Sequence, residues 1–281
     1  MVDEIKQIRW SQMGERPEVL EGVGEPPDDA VADPVELATR MGFVPDEKQA
    51  AVLRSEAKQG ILNCTRQWGK STTAAAKAVH HALSREGAMV VVASPSEKQS
   101  AELVRKAAEM VAKLGIREKK DGIHPISLVL PRGSRIVGVP GNEATVRGLS
   151  KVTLLLVDEA ARVPDALYNA VRPMLAVAHG TVWLMSTPWG TRGFFYDAWM
   201  HGGPEWERVQ VKGTECARIS EEWLEKERRQ LGGRAFRREY MGEFLQDDAS
   251  AFDEDVVRAA LEQDLVPIEV ELKEFARRKL R

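Results

Sequence analysis

The octapeptide Cys-Thr-Arg-Gln-Trp-Gly-Lys-Ser occupies residues 64–71 and lies between two segments of opposite character. The apolar Gly-Ile-Leu-Asn of residues 60–63 precedes it, and an Ala-rich segment typical of a helix follows, from Ser71 to about Arg85. The octapeptide matches the pattern G-x-x-x-x-G-K-S/T, except that Cys64 stands where the first glycine belongs. Gly-Lys-Ser alone could arise by chance, but the order strand, loop, helix is what a phosphate-binding loop requires.

This context predicts the chemistry of the loop. Backbone N–H groups and the helix N-terminus would cradle phosphate oxygens, Lys70 would neutralise the β- and γ-phosphates, and the Ser71 hydroxyl would help to hold Mg²⁺. We therefore predict that a nucleoside triphosphate is bound by Thr65, Arg66, Gln67, Trp68, Gly69, Lys70, Ser71 and Thr72.

A second candidate feature is the acidic pair that ends the apolar run of residues 152–157. A nucleotide hydrolase needs two such carboxylates: Asp158 would bind Mg²⁺ through water, and Glu159 would polarise the attacking water as the base. We expect both to face the loop from an adjoining strand. The structural alternative is that the two acids cap a helix that begins near Pro164.

Further apolar runs, at residues 89–93 and 181–185, also lack polar alternation and are separated by helical stretches. Such runs are typical of strands buried on both faces, so the sequence predicts an α/β fold with a mostly parallel sheet flanked by helices. Residues 126–139 predict an inserted hairpin around the turn Pro-Arg-Gly-Ser. Ser186 and Thr187 follow the last run, where they would either sense the γ-phosphate or form a hydroxyl-rich turn.

The composition is that of a soluble globular chain, with 43% hydrophobic and 30% charged residues. Two cysteines are too few for a thiolate metal site or a disulfide framework, and no signal or membrane-spanning run is visible, so we expect a cytoplasmic protein. Residues 1–47 carry 12 acids against 4 bases, which leaves 31 acids against 36 bases for the remainder. This mildly basic remainder could contact phosphates through local patches.

Taken in order, these segments resemble the ATPase part of the large terminase subunit of bacteriophages, the motor that packages double-stranded DNA into preformed capsids. Residues 65–71 resemble that family's variant phosphate loop, and residues 156–164 its acidic motif. Residues 184–190 are similar to its coupling motif, and residues 236–244 to the signature that ends its lid subdomain. The resemblance covers about residues 43–244.

The resemblance implies a RecA-like P-loop NTPase core with a small helical lid, and ATP and Mg²⁺ as cofactors. It implies that Gln49 reads the adenine edge with its amide. For the cation on the transferring phosphate, Arg147 matches the arginine that family members are thought to supply to a neighbouring subunit, and Arg66 would aid in cis. Surface or DNA-contact roles for the two arginines stay open. The implied partners are double-stranded DNA, a portal protein, a small terminase subunit and further copies in a ring.

We divide the chain accordingly into four parts. Residues 1–40 are predicted to be a flexible acidic arm, because Pro and Gly punctuate them. Residues 41–211 are predicted to be the ATPase core and residues 212–250 a helical lid, in which residues 221–240 form a helix broken at Gly232-Gly233. Residues 251–281 are predicted to be a helical tail or linker.

The chain departs from the family pattern at its C-terminus. Large terminases usually carry a second, metal-dependent nuclease domain, and the cluster Asp253, Glu254 and Asp255 does not place two metals at the required spacing. We therefore expect no nuclease activity from this chain. The Arg-rich and Glu-rich helix at residues 221–240 is explained equally well by DNA contact and by a solvated surface, so no residue is assigned to DNA.

Two rival functions remain. The first is a superfamily 2-like helicase or translocase, which shares the phosphate loop and acidic pair but needs a second core that this sequence lacks. The second is a catalytically silent DNA-binding or assembly protein, against which the intact Lys70, Ser71, Asp158 and Glu159 argue.

Overall fold

A computed structural model of the chain describes residues 33–117, 119–139 and 149–246. The α-helices of this part are α1 (Pro34–Arg40), α2 (Glu47–Arg54), α3 (Lys70–Leu83), α4 (Glu97–Lys113), α5 (Asp165–Val171), α6 (Phe194–His201) and α7 (Glu221–Met241). Its strands are β1 (Gln59–Cys64), β2 (Met89–Ala93), β3 (Ser127–Val129), β4 (Arg135–Val139), β5 (Leu154–Asp158), β6 (Thr181–Ser186) and β7 (Trp206–Val211).

The strands form one seven-stranded sheet in the order β3-β4-β2-β5-β6-β1-β7. Every neighbouring pair is parallel except β3 and β4, which are antiparallel. Alternate residues of β5 pack into different hydrophobic clusters, Leu154 and Leu156 into one and Leu155 and Val157 into the other. The first cluster includes side chains of α1, α2, α3 and α4, and the second includes side chains of α5 and α6. The predicted α/β fold with helices on both faces of a mostly parallel sheet is therefore confirmed.

The sheet order brings three strand ends together at one edge. β6 pairs with both β1 and β5, so that Asn63 lies opposite Ser186 and Met185 lies opposite Asp158. The expectation that the acidic strand adjoins the strand before the loop is wrong, because β6 lies between them. Parallel strands end at the same edge, and this places the phosphate loop, the acidic pair and the β6 hydroxyls side by side.

The prediction of a flexible arm up to residue 40 is wrong for its last seven residues, which form α1. Asp33 caps this helix by accepting a hydrogen bond from the backbone of Val35, and Pro34 occupies the first turn, where no N–H is needed. Leu37 and Ala38 are buried in the core. Proline, which together with glycine indicates a flexible arm in residues 1–40, stands here in the first turn of a helix. Residues 1–32 lie outside the described part.

Several other elements bear on the sequence predictions. The hairpin is confirmed, although β4 also pairs in parallel with β2 and so belongs to the main sheet. β7 was not predicted: its residues alternate between more buried and more exposed positions at the sheet edge, which gives no continuous apolar run. The predicted break in α7 is confirmed, because Gly232 has φ 75° and ψ 162° inside this helix.

The second half of α7 is anchored near the end of β1. Phe236 and Tyr240 pack with Leu224 in a small hydrophobic cluster. After α7, Gly242 adopts a left-handed conformation, and its carbonyl accepts a hydrogen bond from Asn63 Nδ2 at 2.7 Å. The described residues up to Leu245 belong to one compact unit, and boundaries at residues 211 and 250 stay predictions. Within the described ranges, no helix is long and apolar enough to cross a bilayer.

Candidate nucleotide-binding site

The phosphate loop connects β1 to α3, as the sequence predicts. Gly69 stands at the N-cap of α3 with φ 97°, and Gln67 also has a positive φ of 62°. No side chain caps this helix, and the first N–H groups of any α-helix lack intrahelical acceptors. The loop therefore presents backbone donors at the positive end of a helix dipole, which is an anion-binding geometry.

Cys64 explains why the loop tolerates the loss of its first glycine. It is the last residue of β1, pairs with Val211 in extended conformation and is fully buried in the core. Its side chain thus occupies the core. Burial raises the pKa of the thiol to about 12, so Cys64 is a packing residue without nucleophilic character.

Lys70 bends back across the loop. Its Nζ donates hydrogen bonds to the carbonyls of Thr65 at 3.2 Å and Cys64 at 3.4 Å, and the residue is buried. Both acceptors are neutral carbonyls, so the ammonium charge is available to an anion on the loop. This position is compatible with the phosphate contact of Lys70, which stays a prediction.

Ser71 and Asp158 meet directly. The Ser71 hydroxyl donates a hydrogen bond to Asp158 Oδ2 at 2.9 Å, and Asp158 is buried. A hydroxyl and a carboxylate are hard oxygen donors, which Mg²⁺ prefers when phosphates complete its shell. The donor set therefore fits Mg²⁺. Among the described residues no group of three or more His, Cys, Asp or Glu could hold a metal ion, so a metal site made of protein ligands alone is not seen there.

Glu159 follows in a left-handed conformation, with φ 50° and ψ 42°. Its backbone N–H donates to Asp158 Oδ1 at 3.1 Å, which ties the two acids together. Burial raises the pKa of the Glu159 carboxyl, and the nearby Lys70 opposes this rise. A strained, non-glycine backbone beside two functional side chains is typical of an active site.

Gln49, which by resemblance would read the adenine edge, contacts other protein groups in this structure. It is fully buried; its Oε1 accepts from the Asp46 backbone at 2.9 Å and its Nε2 donates to the Trp68 carbonyl at 2.7 Å. In this structure its amide therefore braces the phosphate loop. Buried Lys77 of α3 donates to the Val52 carbonyl at 2.8 Å, which fixes the end of α2, the helix that carries Gln49.

Arg218 is a site residue that sequence reasoning missed. From the segment before α7 it donates to the Trp68 carbonyl, and its Nη2 donates to Gln49 Oε1 at 3.4 Å. No motif marks this arginine. Its contacts with the loop arise from chain segments 150 residues apart.

Arg66 does not turn toward the centre of the loop. Its Nε pairs with Glu239 of α7 at 2.5 Å, and its backbone N–H donates to the Glu239 carbonyl at 3.4 Å. The Thr65 hydroxyl donates to the same carbonyl at 3.5 Å. Glu239 lies in the charged helix for which DNA contact and a solvated surface are equally open from sequence; here it is buried and connects α7 to the phosphate loop.

Ser186 and Thr187 are both buried at the end of β6, between the loop and the acidic pair. The Ser186 hydroxyl has no hydrogen-bond partner within the described part of the chain. Thr72 lies in the first turn of α3 and is partly exposed. Arg147 lies outside the described residues.

Substituting Gly69 tests the geometry of the loop. We expect Gly69→Ala to weaken triphosphate binding by about tenfold or more, because the loop would relieve the strain of a left-handed alanine, roughly 1–2 kcal/mol, by moving its backbone donors out of the binding geometry. In addition, a Cβ at this position would stand 3.0 Å from Gln49 Nε2 and 3.3 Å from Arg218 Nη1. The measurement is titration with a fluorescent nucleotide, accompanied by urea denaturation.

Gly87→Ala is the matched control, since Gly87 also has a positive φ of 63° but nothing within 4 Å of an added Cβ. It should lower stability while leaving the nucleotide affinity unchanged. Equal affinities of the two variants would contradict the role of Gly69.

The fold and this site define a P-loop nucleoside triphosphatase: a glycine-capped loop, its lysine and serine, and an acidic strand end on a RecA-like parallel sheet. A family described as the N-terminal part of the large terminase subunit, T4-like virus type, matches residues 61–257. The chain belongs to this family of phage large terminase subunits, which confirms the resemblance inferred from its motifs.

Individual relatives agree with the family assignment. The chain is 26% identical over 247 residues to the large terminase subunits of Thermus phage G20c and Thermus virus P23-45, with 75% of this chain and 51% of each relative covered. It thus spans about half the length of the curated relatives it matches.

Solved structures show the same fold. The ATPase domain of the large terminase of Thermus phage P74-26 superposes with a TM-score of 0.66 at 23% identity, covering 79% of this chain and 100% of that domain. The large terminase of bacteriophage HK97 superposes with a TM-score of 0.63 at 16% identity, covering 75% of this chain and 55% of that one.

Proposed function

We propose that this chain binds ATP with Mg²⁺, hydrolyses it, and uses the cycle to move double-stranded DNA into a capsid. The observation that carries the proposal is the hydrogen bond of 2.9 Å between the Ser71 hydroxyl and Asp158, directly beside Lys70. It joins the start of α3 to the end of β5, two segments distant in sequence, at the place where a triphosphate would end.

The loop supplies the binding energy for the nucleotide. Backbone N–H groups from Gln67 to Ser71 and the α3 dipole would hold the phosphates, and Lys70 would exchange its two carbonyl partners for phosphate oxygens. Ser71 and Asp158 would hold Mg²⁺. The chemistry that Mg²⁺ supplies when bound is neutralisation of charge on the β- and γ-phosphates.

Hydrolysis needs a base for water. Glu159 would accept a proton from the water whose oxygen attacks the γ-phosphorus, as the bond from that phosphorus to the ADP oxygen breaks. Its left-handed backbone follows the end of β5 directly, beside Asp158. The neighbouring Asp158 stays committed to Ser71 and the metal, so the two acids have separate tasks.

Relatives support the choice of nucleotide. The large terminase of a thermophilic bacteriophage is known in complexes with ADP and with ATP-γ-S. The ADP complex is 15% identical to this chain and the ATP-γ-S complex 16%, each at a TM-score of 0.59, which supports a shared fold. The residues at the phosphate loop of this chain support the shared ligand.

Ser186 and Thr187 would couple the site to its surroundings. They end the strand between the loop and the acids, so a change in the γ-phosphate would reach them first.

Gln49 would read the adenine edge only after its amide releases Asp46 or Trp68, and as bound here it supports the loop. Arg66 would act in cis after leaving Glu239.

The wider machine is part of the same proposal. Double-stranded DNA, a portal protein, a small terminase subunit and a ring of copies of this chain are the partners that the terminase family implies, in the host cytoplasm. Intact Lys70, Ser71, Asp158 and Glu159 in one arrangement disfavour a silent assembly protein. Membership of the terminase family disfavours a helicase.

Substituting Lys70 tests nucleotide binding. We expect Lys70→Ala to weaken ATP binding by about tenfold or more and to reduce hydrolysis to background, since a charge-assisted phosphate contact is lost. Binding is measured with a fluorescent ATP analogue, and phosphate release is measured with and without duplex DNA.

Lys58→Ala is the control, because exposed Lys58 directly precedes β1 and so lies at the other end of this strand from the phosphate loop. It should bind and hydrolyse ATP like the native chain. If Lys70→Ala bound ATP as tightly as this control, the loop would not be the nucleotide site.

A further inference from the structure

Trp189 has surroundings unlike those of the buried tryptophans. It follows β6 directly after Pro188, and 41% of its surface is exposed. It does not belong to the hydrophobic clusters found among the described residues. Its close contacts are instead cations: the guanidinium carbons of Arg162 and Arg238 lie 4.3 and 4.5 Å from the centre of its ring. Arginine–tryptophan contacts of this kind are attractive.

The carboxylate of Glu239 offsets the repulsion between the positive charges of Arg162 and Arg238. Glu239 Oε1 lies 3.4 Å from Arg238 Nε and 3.9 Å from Arg162 Nη2, while Glu239 Oε2 pairs with Arg66 of the phosphate loop. The Trp189 ring thus contacts two arginines, and the Glu239 carboxylate lies near these two and Arg66. These residues come from the loop, the turn after the acidic pair, the end of β6 and α7.

Arg162 connects this cluster to the acidic pair. It ends the short 3-10 turn of residues 160–162, and its backbone N–H donates to the Glu159 carbonyl at 2.8 Å. Glu159 has a left-handed backbone, which is costly for a residue other than glycine and persists only where neighbouring structure fixes it. A turn whose far end is anchored by its side chain provides such a constraint.

We propose that Trp189 is a positioning residue: by holding Arg162 it fixes the turn that orients Glu159, and by holding Arg238 it links this turn to α7. The catalytic part of this inference rests on the proposed role of Glu159 as the base. The linkage itself depends only on contacts in the protein without nucleotide.

The aromatic ring, more than the bulk of the side chain, carries the effect. Trp189→Leu keeps an apolar side chain but removes the π-face, whereas Trp189→Phe retains a π-face. We expect Trp189→Leu to lower kcat for ATP by roughly fivefold to tenfold with KM changed less than about twofold, and Trp189→Phe to recover most of kcat.

Trp223→Leu is the matched control. Trp223 is a similarly exposed tryptophan, at 48%, with the Lys226 ammonium 5.7 Å from its ring centre, but both residues lie on α7 far from the turn in sequence. This variant should leave kcat and KM unchanged within about twofold.

Amide hydrogen exchange of the full chain without nucleotide provides the readout that is independent of activity. Trp189→Leu should accelerate exchange in residues 159–163 and in residues 236–242 together, while Trp223→Leu accelerates at most the second segment. Unchanged exchange at residues 159–163 in Trp189→Leu, or a Trp189→Phe variant as impaired as Trp189→Leu, would overturn the proposal.

The result also separates this inference from the proposed function. If Glu159→Gln hydrolysed ATP like the native chain, the assignment of the base would fail, yet coupled exchange of the two segments would still establish the linkage. If Glu159→Gln were inactive and the exchange uncoupled, only the role of Trp189 would be lost.

Discussion

Glu159→Gln is expected to lower the steady-state rate of ATP hydrolysis by about 10²- to 10⁴-fold, because an amide cannot accept the proton of the attacking water. ATP binding should stay close to native. The phosphates are held by the loop, by Lys70 and by Ser71, none of which loses a contact when the carboxylate of Glu159 becomes an amide. The measurement is phosphate release with and without duplex DNA, beside a binding titration.

The structure makes this substitution a clean one. The side chain of Glu159 is partly exposed, and its amide counterpart has nearly the same shape, so the turn of residues 160–162 should persist. Glu86→Gln serves as control, since exposed Glu86 lies before β2 at the other edge of the sheet. If Glu159→Gln and Glu86→Gln turned over ATP at the same rate, the assigned base would be wrong.

The parts of the site that could be predicted from sequence are those formed by short continuous segments of the chain. The phosphate loop is a local pattern, and its strand and helix follow from the apolar and Ala-rich segments on either side. Asp158 and Glu159 end an apolar run, and a parallel sheet brings such ends to one edge whatever the strand order. Local signals were enough to place these groups together.

The order of the strands in the sheet could not be predicted from such local signals. That β6 separates β1 from β5 is decided by pairing between segments far apart in the chain. β7 was missed for a related reason: an edge strand needs no continuous apolar run, because part of its surface faces solvent. α1 was missed because Pro34 and Asp33 signal a loop or a helix start with equal strength until the burial of Leu37 is known.

The side chains that brace the site were missed because their partners are distant. Arg218 and Glu239 each contact the loop, yet no sequence motif marks Arg218, and the charged helix of Glu239 fits DNA contact and a solvated surface equally well. Gln49 was recognised by its resemblance to a family motif, but its two amide contacts depend on how α2 sits against the loop. Such roles become visible only when the fold fixes which charges are buried.

The second large effect is expected for Arg147→Ala, which should reduce turnover in the assembled motor by roughly 10³- to 10⁵-fold while nucleotide binding stays nearly intact. Phosphoryl transfer needs a cation on the developing charge beyond Lys70 and the metal. The other arginines at the loop have carboxylate or carbonyl partners: Arg66 pairs with Glu239, and Arg218 donates to the Trp68 carbonyl. We therefore propose, as the family resemblance implies, that Arg147 of a neighbouring subunit supplies this cation.

Mixing two inactive variants distinguishes action in trans from action in cis. A subunit with Arg147→Ala keeps its own Glu159, and a subunit with Glu159→Gln keeps its own Arg147. If the arginine acts in trans, a ring assembled from both contains interfaces where an intact Glu159 meets an intact Arg147 from the next subunit, so hydrolysis returns on mixing. If it acts in cis, every site in the mixed ring lacks one of the two groups and the ring stays inactive. Arg66→Ala mixed with Glu159→Gln is the comparison. Arg66 belongs to the same loop as Lys70 and would act on the nucleotide of its own subunit, so no rescue is expected on mixing. Full activity of Arg147→Ala alone would remove Arg147 from the mechanism altogether.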